Sequence, residues 1–321
     1  MTLRAAHVGF DLPETSHERD SSDDRSESDG APVCVLGFNA NDPTGAGGLS
    51  GDALVMGSVG AHLLPVMTGS YLRDSRETVD HAALDAAAIA QQAQLLAEDM
   101  PLQAVKVGFV GSAEAVAAVA AFVSDYPELP VITYMPDLSW WDEQQIDNYQ
   151  DALRELLLPQ TAVLVGHNTT LRHWLLPETA SRRHTDATDL ARAAAELGVS
   201  YVLVTGLVRP GDRIGSVLAS PQAELCQQEF ERIEADFMGA GDTLSAALTG
   251  LLAMGSDLTE ATVEALQYLD QALDHGFCPG MGRALPDRLF WAEADEPPAT
   301  GAADDAQAPA DLTQVIHDTK H

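Results

Sequence analysis

Short apolar runs alternate with longer alanine-rich segments along most of this chain, and that alternation limits the folds open to it. The short runs are predicted to be buried strands: Val33–Phe38, Leu63–Thr68, Ala104–Val107, Val131–Thr133, Ala162–Val165 and Tyr201–Thr205. The longer segments have helical periodicity: Leu49–Val59, Ala82–Glu98, Ala113–Ser124, Glu143–Leu157, Asp186–Leu197 and Thr243–Met254. Two later strands, Ile214–Ala219 and Glu224–Ile233, are predicted to pair as a hairpin. The pattern predicts an α/β fold with a mostly parallel central sheet and helices on both faces.

One catalytic domain, residues 32–292, is predicted between two polar tails. The chain has 321 residues and 45% hydrophobic side chains, enough for a large core, and α/β domains often reach about 250 residues as one unit. Thr15–Gly30 has almost no apolar side chains, and the segment from Glu293 is rich in Ala, Asp and Pro. Neither can bury enough surface to offset the entropy of ordering, so residues 1–31 and 293–321 are predicted to be disordered.

The charge balance excludes several classes of partner. There are 49 acidic and 17 basic residues, a net charge of -32, and the only lysines are Lys106 and Lys320. Such a surface is a poor match for nucleic acid or an anionic membrane. No apolar run resembles a signal peptide or the roughly 20-residue stretch of a membrane span, and the three cysteines lack the spacing of a metal site or redox pair. We therefore expect a cytoplasmic protein with a small-molecule partner.

A glycine-rich turn that leads into an apolar helix is the strongest local signal for chemistry. The sequence from Phe237 to Ala247 reads F-M-G-A-G-D-T-L-S-A-A. Gly239, Ala240 and Gly241 allow several backbone N–H groups to converge at the helix start, which suits a phosphate group. Asp242 is then placed to accept a proton from an attacking hydroxyl. The alternative is that Asp242 caps the helix and the glycines only turn the chain.

A second glycine-rich stretch follows the first predicted strand, where parallel α/β sheets bind ligands. Residues Asn39–Asp52 match neither the dinucleotide fingerprint nor the P-loop pattern, and the alternative interpretation is a long turn capped by Asp42. Asp52 lies within an apolar helical segment, where an uncompensated carboxylate is costly. We expect a substrate amine or ring nitrogen to be its partner.

Six ordered segments resemble one enzyme family. They are D-P-T-G-A-G-G-L-x-x-D at Asp42–Asp52, V-K-V-G-F-V at Val105–Val110, L-L-L-P-Q-T-A-V-L at Leu156–Leu164, Y-V-L-V-T-G at Tyr201–Gly206, G-A-G-D-T-L-S-A-A at Gly239–Ala247 and G-F-C-P-G-M-G-R-A-L-P-D-R-L-F-W at Gly276–Trp291. Across residues 32–292 this order resembles the hydroxymethylpyrimidine/phosphomethylpyrimidine kinases of thiamine synthesis. The resemblance implies a ribokinase-like three-layer sandwich, a homodimer, and phosphorylation of 4-amino-5-hydroxymethyl-2-methylpyrimidine and then its monophosphate by magnesium-ATP.

The resemblance also assigns site residues by position. It implies that Asp52 and Ala40 belong to the pyrimidine pocket, with Arg73 beside them. It assigns the nucleotide to Lys106, Asn168, Thr205 and Gly206, and the phosphate-binding turn to Gly239–Asp242.

Four positions depart from the family pattern. This chain has Ala40 where the family usually has Gly, Arg73 where it has Gln, and Asp242 where it has Cys. It also has Leu171 where the family has the Glu of a T-P-N-x-x-E segment. Asp242 restores the base typical of ribokinase and pyridoxal kinase, whereas Leu171 removes a carboxylate from the magnesium–phosphate region and leaves the metal ligands unknown. Two alternatives therefore stay open: a pyridoxal-type kinase, and a non-catalytic ligand-binding paralogue.

Arg73 bears most directly on the substrate. Its position just past the strand Leu63–Thr68 predicts a place at the carboxyl edge of the sheet, beside the first glycine loop. A guanidinium there favours an anionic ligand, which predicts a preference for the phosphorylated pyrimidine over the free alcohol. The alternative is that Arg73 points to solvent or pairs with Asp74 or Glu77.

Overall fold

The computed structural model describes residues 32–177 and 186–292. Within these ranges nine strands form one sheet: β1 Cys34–Asn41, β2 His62–Arg73, β3 Thr78–Ala83, β4 Leu102–Val107, β5 Val131–Met135, β6 Val163–His167, β7 Tyr201–Arg209, β8 Arg213–Ala219 and β9 Glu224–Glu231. Their order is β3-β2-β1-β4-β5-β6-β7-β8-β9. The six strands from β2 to β7 are parallel, and β3, β8 and β9 pair antiparallel at the two edges.

Helices cover both faces of this sheet. They are α1 Gly48–Ser58, α2 Ala86–Asp99, α3 Ala113–Ser124, α4 Glu143–Ala152, α5 Asn168–Leu175, α6 Ala187–Ala195, α7 Ala240–Ala253 and α8 Leu258–Asp274. Alternate side chains of the strands enter two separate cores, as the two-residue period of a strand requires. On β1, Leu36 and Phe38 pack towards α2 and α3, whereas Val35 packs towards α1, α7 and α8. The α/β class with a mostly parallel, doubly covered sheet is thus confirmed.

The chain path creates a crevice between β1 and β4. It runs from β1 outward to β2 and β3, and then returns through α2 to β4 on the other side of β1. The connections after β1 and β4 therefore leave in opposite directions and open a gap at the carboxyl ends of these strands. An irregularity in the β1–β2 register at Asn39/Ala40 re-aims the end of β1 at this gap.

Several predicted boundaries are corrected. The helix expected at Ala82–Glu98 begins at Ala86, because Asp85 caps it by accepting the Ala88 N–H and because Ala82 and Ala83 pair with β2. The α-helix from Glu143 ends at Ala152 and continues as a wider π turn to Leu157. Strand β3 and helices α5 and α8 were missed. The predicted tails, 1–31 and 293–321, lie outside the described residues.

No helix among the described residues is long and apolar enough to cross a bilayer.

Candidate active site

Four polar side chains form a network at the crevice between β1 and β4. Asn39 comes from the end of β1, Lys106 from β4, Asp52 from α1 and Asp242 from the first turn of α7. The Lys106 ammonium lies between the two carboxylates, with Nζ 2.5 Å from Asp52 Oδ1 and 3.0 Å from Asp242 Oδ1. Lys106 and Asp52 have no solvent-exposed side-chain surface, whereas the Asp242 side chain is 14% exposed. Only one carboxylate of the network therefore reaches the solvent side.

Asn39 joins the same two carboxylates through its amide. Its Nδ2 donates to Asp52 Oδ2 at 2.9 Å and to Asp242 Oδ1 at 2.8 Å. Its Oδ1 accepts the backbone N–H groups of Ala40 and Phe109 at 2.9 and 3.1 Å, which fixes the orientation of the amide. A Cβ on Gly108 would lie 2.4 Å from the Asn39 side chain, so glycine is required for this approach.

The network shifts the pKa values of its two carboxyl groups in opposite directions. Burial raises the pKa of Asp52 to about 6, helped by the charge of Asp242 and opposed by Lys106. Burial also acts to raise the pKa of Asp242, but Lys106, Asn39 and the Gly48 N–H together outweigh it and hold that pKa below its usual value. The pKa of Lys106 is raised, because its two carboxylate partners outweigh its burial. Asp242 is therefore ionised at neutral pH, and Lys106 is charged.

The glycine turn before α7 is a tight turn that only small residues can form. Gly239 caps the helix in the left-handed conformation, with φ of 87°. A Cβ on it would lie 1.5 Å from the Ala46 carbonyl oxygen, and a Cβ on Gly241 would lie 2.3 Å from the Tyr134 ring. The two glycine-rich segments therefore touch each other backbone to backbone. Asp242 Oδ2 accepts the Gly48 N–H at 3.2 Å across this contact.

Arg288 clamps the two glycine segments together. Its side chain is buried; Nε donates to Thr243 Oγ1 at 3.0 Å and Nη1 to the Gly45 carbonyl at 3.2 Å, while Nη2 donates to the Ala46 carbonyl. The clamp thus joins the first turn of α7 to the loop after β1. Burial lowers the pKa of Arg288, and the nearby carboxylates of Asp242 and Asp52 oppose that shift.

A cavity of about 530 Å³ opens beside Asp242. Its floor is the glycine turn, and its walls come from the β2–β3 hairpin, the segment after β5, the ends of β6 and β7, and the loop before Leu285. The charged side chains that line it are Arg73, Arg76, Glu77, Asp137, Asp242 and Arg283. Three of the 17 basic residues of this acidic chain therefore face one cavity.

Arg73 lines this cavity, and both of its alternative placements are wrong. Its side chain is only 12% exposed, its Nη1 lies 3.3 Å from Asp42 Oδ2, and its guanidinium lies over the Tyr71 ring. The partner is thus Asp42 of the first glycine loop, rather than Asp74 or Glu77. Strand β2 continues past Thr68 to Arg73, which carries the side chain over the loop.

Other predicted residues lie elsewhere than expected. The partner of Asp52 is Lys106 of the same chain, so the expectation of a ligand partner is corrected. Lys106 has no exposed surface from which to contact a nucleotide, because two carboxylates enclose its ammonium. Ala40 is buried at 1% exposure and is not part of the cavity lining.

The expected nucleotide side of the cavity lies at β6 and β7. Thr205 lines the cavity together with His167. Gly206 has φ of 74°, and a Cβ there would lie 1.9 Å from His167 Nε2, so the His167 ring packs directly against this turn. Burial lowers the pKa of His167. Asn168 begins α5, outside the lining, and its buried Oδ1 has no hydrogen-bond partner among the described residues.

The carboxylate lost at Leu171 has no replacement at that position. Leu171 is fully buried, and a Cβ on Gly166 would lie 2.8 Å from its side chain, so it fills the core beneath the end of β6. Within the described ranges no three His, Cys, Asp or Glu side chains are grouped to hold a metal ion.

Sequence reasoning missed the residues that complete the site. Asn39 and Arg288 were quoted only as parts of motifs, and Arg76 and Arg283 were given no role. A signal existed for Asn39, since a polar residue that ends a buried parallel strand points to the ligand edge. No local signal existed for the arginines, because their meeting depends on chain segments about 200 residues apart.

Solved structures with this fold include small-molecule kinases. The Bacillus subtilis pyridoxal kinase in an ADP complex has a TM-score of 0.72 at 20% identity, covering 82% of this chain and 99% of that one. A Clostridium difficile phosphomethylpyrimidine kinase has a TM-score of 0.60 at 19% identity, covering 74% and 100%. The fold is therefore the ribokinase-like sandwich of this class of kinases.

Sequence relatives narrow the class to one family. The phosphomethylpyrimidine kinase family model matches residues 42–287. A hydroxymethylpyrimidine/phosphomethylpyrimidine kinase of Streptomyces coelicolor is 28% identical over 257 residues, which is 78% of this chain and 92% of that protein. A bifunctional thiamine biosynthesis protein ThiED of Geobacter sulfurreducens is 25% identical over 268 residues, 81% of this chain and 53% of that protein. The chain belongs to the phosphomethylpyrimidine kinase family, a family of phosphotransferases, which confirms the resemblance.

Proposed function

We propose that this protein uses ATP to phosphorylate 4-amino-5-hydroxymethyl-2-methylpyrimidine, its monophosphate, or both. The observation that carries the proposal is the Asp242 carboxylate, which is ionised and lies at the N-terminus of α7 beside the cavity. This arrangement joins a proton acceptor to an anion-binding turn, and phosphoryl transfer to an alcohol needs both. The family membership supports the choice of substrate.

Each part of the site has a role in this proposal. The acceptor hydroxyl oxygen attacks the γ-phosphorus, the bond to the β,γ-bridging oxygen breaks, and ADP leaves with that oxygen. The hydroxyl proton passes to Asp242. The N–H groups at Gly239–Gly241 bind the transferring phosphoryl group, while Lys106 and Asn39 hold Asp242 in place. Thr205 and Gly206 are proposed to contact the nucleotide, with Asn168 close behind them.

A magnesium ion fits this site only as part of the nucleotide complex. Mg²⁺ is usually held by one or two carboxylates together with substrate phosphates, rather than by an all-protein cage. Asp137 and Asp242 are the two carboxylates on the strand-end side of the cavity, and Asp137 is held by the Ser139 N–H at 2.9 Å. We propose Asp137 as its protein ligand, because Asp242 is already held by Lys106, Asn39 and the Gly48 N–H; when bound, the ion would neutralise charge on the nucleotide phosphates.

The test is ATP turnover by the full chain with the pyrimidine alcohol, its monophosphate and pyridoxal as separate acceptors. Asp242→Asn is expected to reduce phosphorylation of the alcohol by about 10²–10⁴-fold, as expected for the loss of a general base. Asp236→Asn is the matched control, because Asp236 is exposed just before the same turn. Turnover of pyridoxal alone would favour a pyridoxal-type kinase, and binding without turnover would favour a non-catalytic paralogue.

We further propose that the enzyme is a cytoplasmic homodimer, as the family resemblance implies. Light scattering coupled to size-exclusion chromatography should give a mass near twice the 34.1 kDa of one chain. A single-chain mass at micromolar concentration would contradict the dimer.

A further inference from the structure

Three arginines meet at the end of the cavity formed by the β2–β3 hairpin. Arg73 ends β2, Arg76 lies in the hairpin turn, and Arg283 comes from the loop before Leu285. The two loops are fixed to each other through Ser75. Its carbonyl accepts the Arg283 N–H at 2.8 Å and its Oγ accepts the Gly282 N–H at 3.2 Å. The backbone therefore holds Arg76 and Arg283 on the same side of the cavity.

These guanidinium groups are poorly compensated by the protein. Arg283 is exposed, and among the described residues its side chain has no hydrogen-bond or ion-pair partner in the protein. The buried Nε of Arg73 has none either. The carboxylate of Asp42 contacts the Arg73 guanidinium, but it also accepts the backbone N–H groups of Thr44 and Gly47. The Arg76 pair with Asp74 is 3.8 Å long and mostly exposed, so it contributes little.

The only acidic side chain that lines this end of the cavity with them is the exposed Glu77.

The arginines lie on the acceptor side rather than the nucleotide side. In the sheet order, β2 is separated from β6 by four strand spacings, roughly 19 Å at about 4.8 Å each. The proposed nucleotide contacts lie at β6 and β7, with Asp242 between the two ends. The acceptor therefore approaches a γ-phosphoryl group above the glycine turn from the end of the cavity that holds the arginines.

We propose that Arg73, Arg76 and Arg283 form a subsite for a phosphomonoester dianion carried by the acceptor, so that the enzyme prefers the pyrimidine monophosphate to the free alcohol. This inference rests on the proposed function and specifies its substrate. Planar guanidinium groups match phosphate oxygens in geometry and remain charged at all relevant pH values.

The chemistry of the second phosphorylation agrees with this subsite. When the acceptor is a phosphomonoester dianion, an unprotonated phosphate oxygen attacks the γ-phosphorus and ADP leaves; no proton has to be removed. This reaction therefore does not need Asp242 as a base. Asp242→Asn should therefore impair phosphorylation of the monophosphate less than phosphorylation of the alcohol.

Calorimetric titration of both pyrimidines tests the subsite in the full-length protein. The parent should bind the monophosphate about 10- to 100-fold more tightly than the alcohol, the range expected for charge-assisted hydrogen bonds. Arg283→Gln and Arg73→Gln should each weaken the monophosphate about tenfold and leave the alcohol within about twofold, whereas Arg283→Lys should retain most of the preference. Arg192→Gln, on the exposed face of α6, is the matched control. The preference should also fall below about pH 6, where the phosphate loses its second charge.

The outcomes separate the two proposals. Turnover of the alcohol with equal affinities for both pyrimidines, or equal weakening of both by Arg283→Gln, refutes the subsite and leaves the kinase assignment intact. A loss of ATP affinity on Arg283→Gln with unchanged monophosphate affinity assigns the arginine to the nucleotide and also refutes the subsite. Failure to bind or phosphorylate either pyrimidine overturns both proposals.

Discussion

Removal of the Lys106 charge is the sharpest test of the buried network. The ammonium lies 2.5 and 3.0 Å from two carboxylates, and its side chain has no exposed surface. Lys106→Met keeps most of the side-chain volume but leaves Asp52 and Asp242 without a cation between them. Removing one partner of a buried ion pair costs about 3–5 kcal/mol. For a domain of this size each kcal/mol lowers the melting temperature by about 2–4 °C, so a decrease of about 6–20 °C is expected.

The pH profile gives a second readout of the same substitution. In the parent, Lys106 helps to hold the pKa of Asp242 below its usual value. Asp242 therefore stays ionised near neutral pH, and it causes no fall in activity with the alcohol there. Without Lys106, burial and the neighbouring Asp52 act to raise that pKa. In the variant, kcat/KM should then fall on the acid side at a higher pH than in the parent.

A double variant distinguishes the loss of charge balance in the network from a simple loss of packing. Lys106→Met combined with Asp52→Asn removes one positive and one negative charge from the network and should recover much of the lost stability, with a coupling energy above about 1 kcal/mol. Calorimetric unfolding of the parent, both single variants and the double variant measures this. A single variant that melts within about 2 °C of the parent, or a double variant no more stable than Lys106→Met, would refute the network as described.

Three further predictions concern the glycine turn, the clamp and the tails. Gly239→Ala should destabilise the fold by more than Gly255→Ala. Both glycines have positive φ, which costs an alanine about 1–2 kcal/mol, but only a Cβ on Gly239 would collide with a carbonyl oxygen. Only Gly239→Ala should abolish ATP binding. Arg288→Gln should lose about 3 kcal/mol of stability and reduce kcat more than exposed Arg232→Gln does; equal thermal melts would contradict the clamp. A chain shortened to residues 31–292 should melt cooperatively and bind ATP like the full chain; loss of either property would contradict the predicted domain limits.

Much of the fold could be predicted from the sequence, because its signals are local. The continuous apolar run Val33–Phe38 indicates a strand buried on both faces, and β1 forms there from Cys34 and continues to Asn41. The helical period of Ala113–Ser124 indicates one buried face, and α3 forms at those residues. Strand β3 was missed, because Thr78–Ala83 is a partly exposed edge strand whose pattern of burial is irregular. Helix α8 was missed even though Asp257 caps it and an apolar face faces the sheet.

The candidate site, like the fold, was predictable from the sequence only where its signals are local. The sequence by itself determined the glycine turn with its carboxylate, because glycines, an acid and a helix start are encoded within Gly239–Asp242. It also indicated that Asp52 is costly to bury and that Arg73 lies at the ligand edge of the sheet. It did not determine what compensates Asp52, since Lys106 is 54 residues away and meets it only when β4 returns beside β1.

Only the tertiary structure decided which charges share a cavity. Arg73, Arg76 and Arg283 meet because Ser75 fixes the loop before Leu285 onto the β2–β3 hairpin, and Arg288 reaches Gly45 and Ala46 across more than 240 residues of chain. Periodicity and propensity report the environment of one residue and its near neighbours. Electrostatic compensation depends instead on distances of a few ångströms between distant segments, and those distances exist only once the sheet has closed around its crevice.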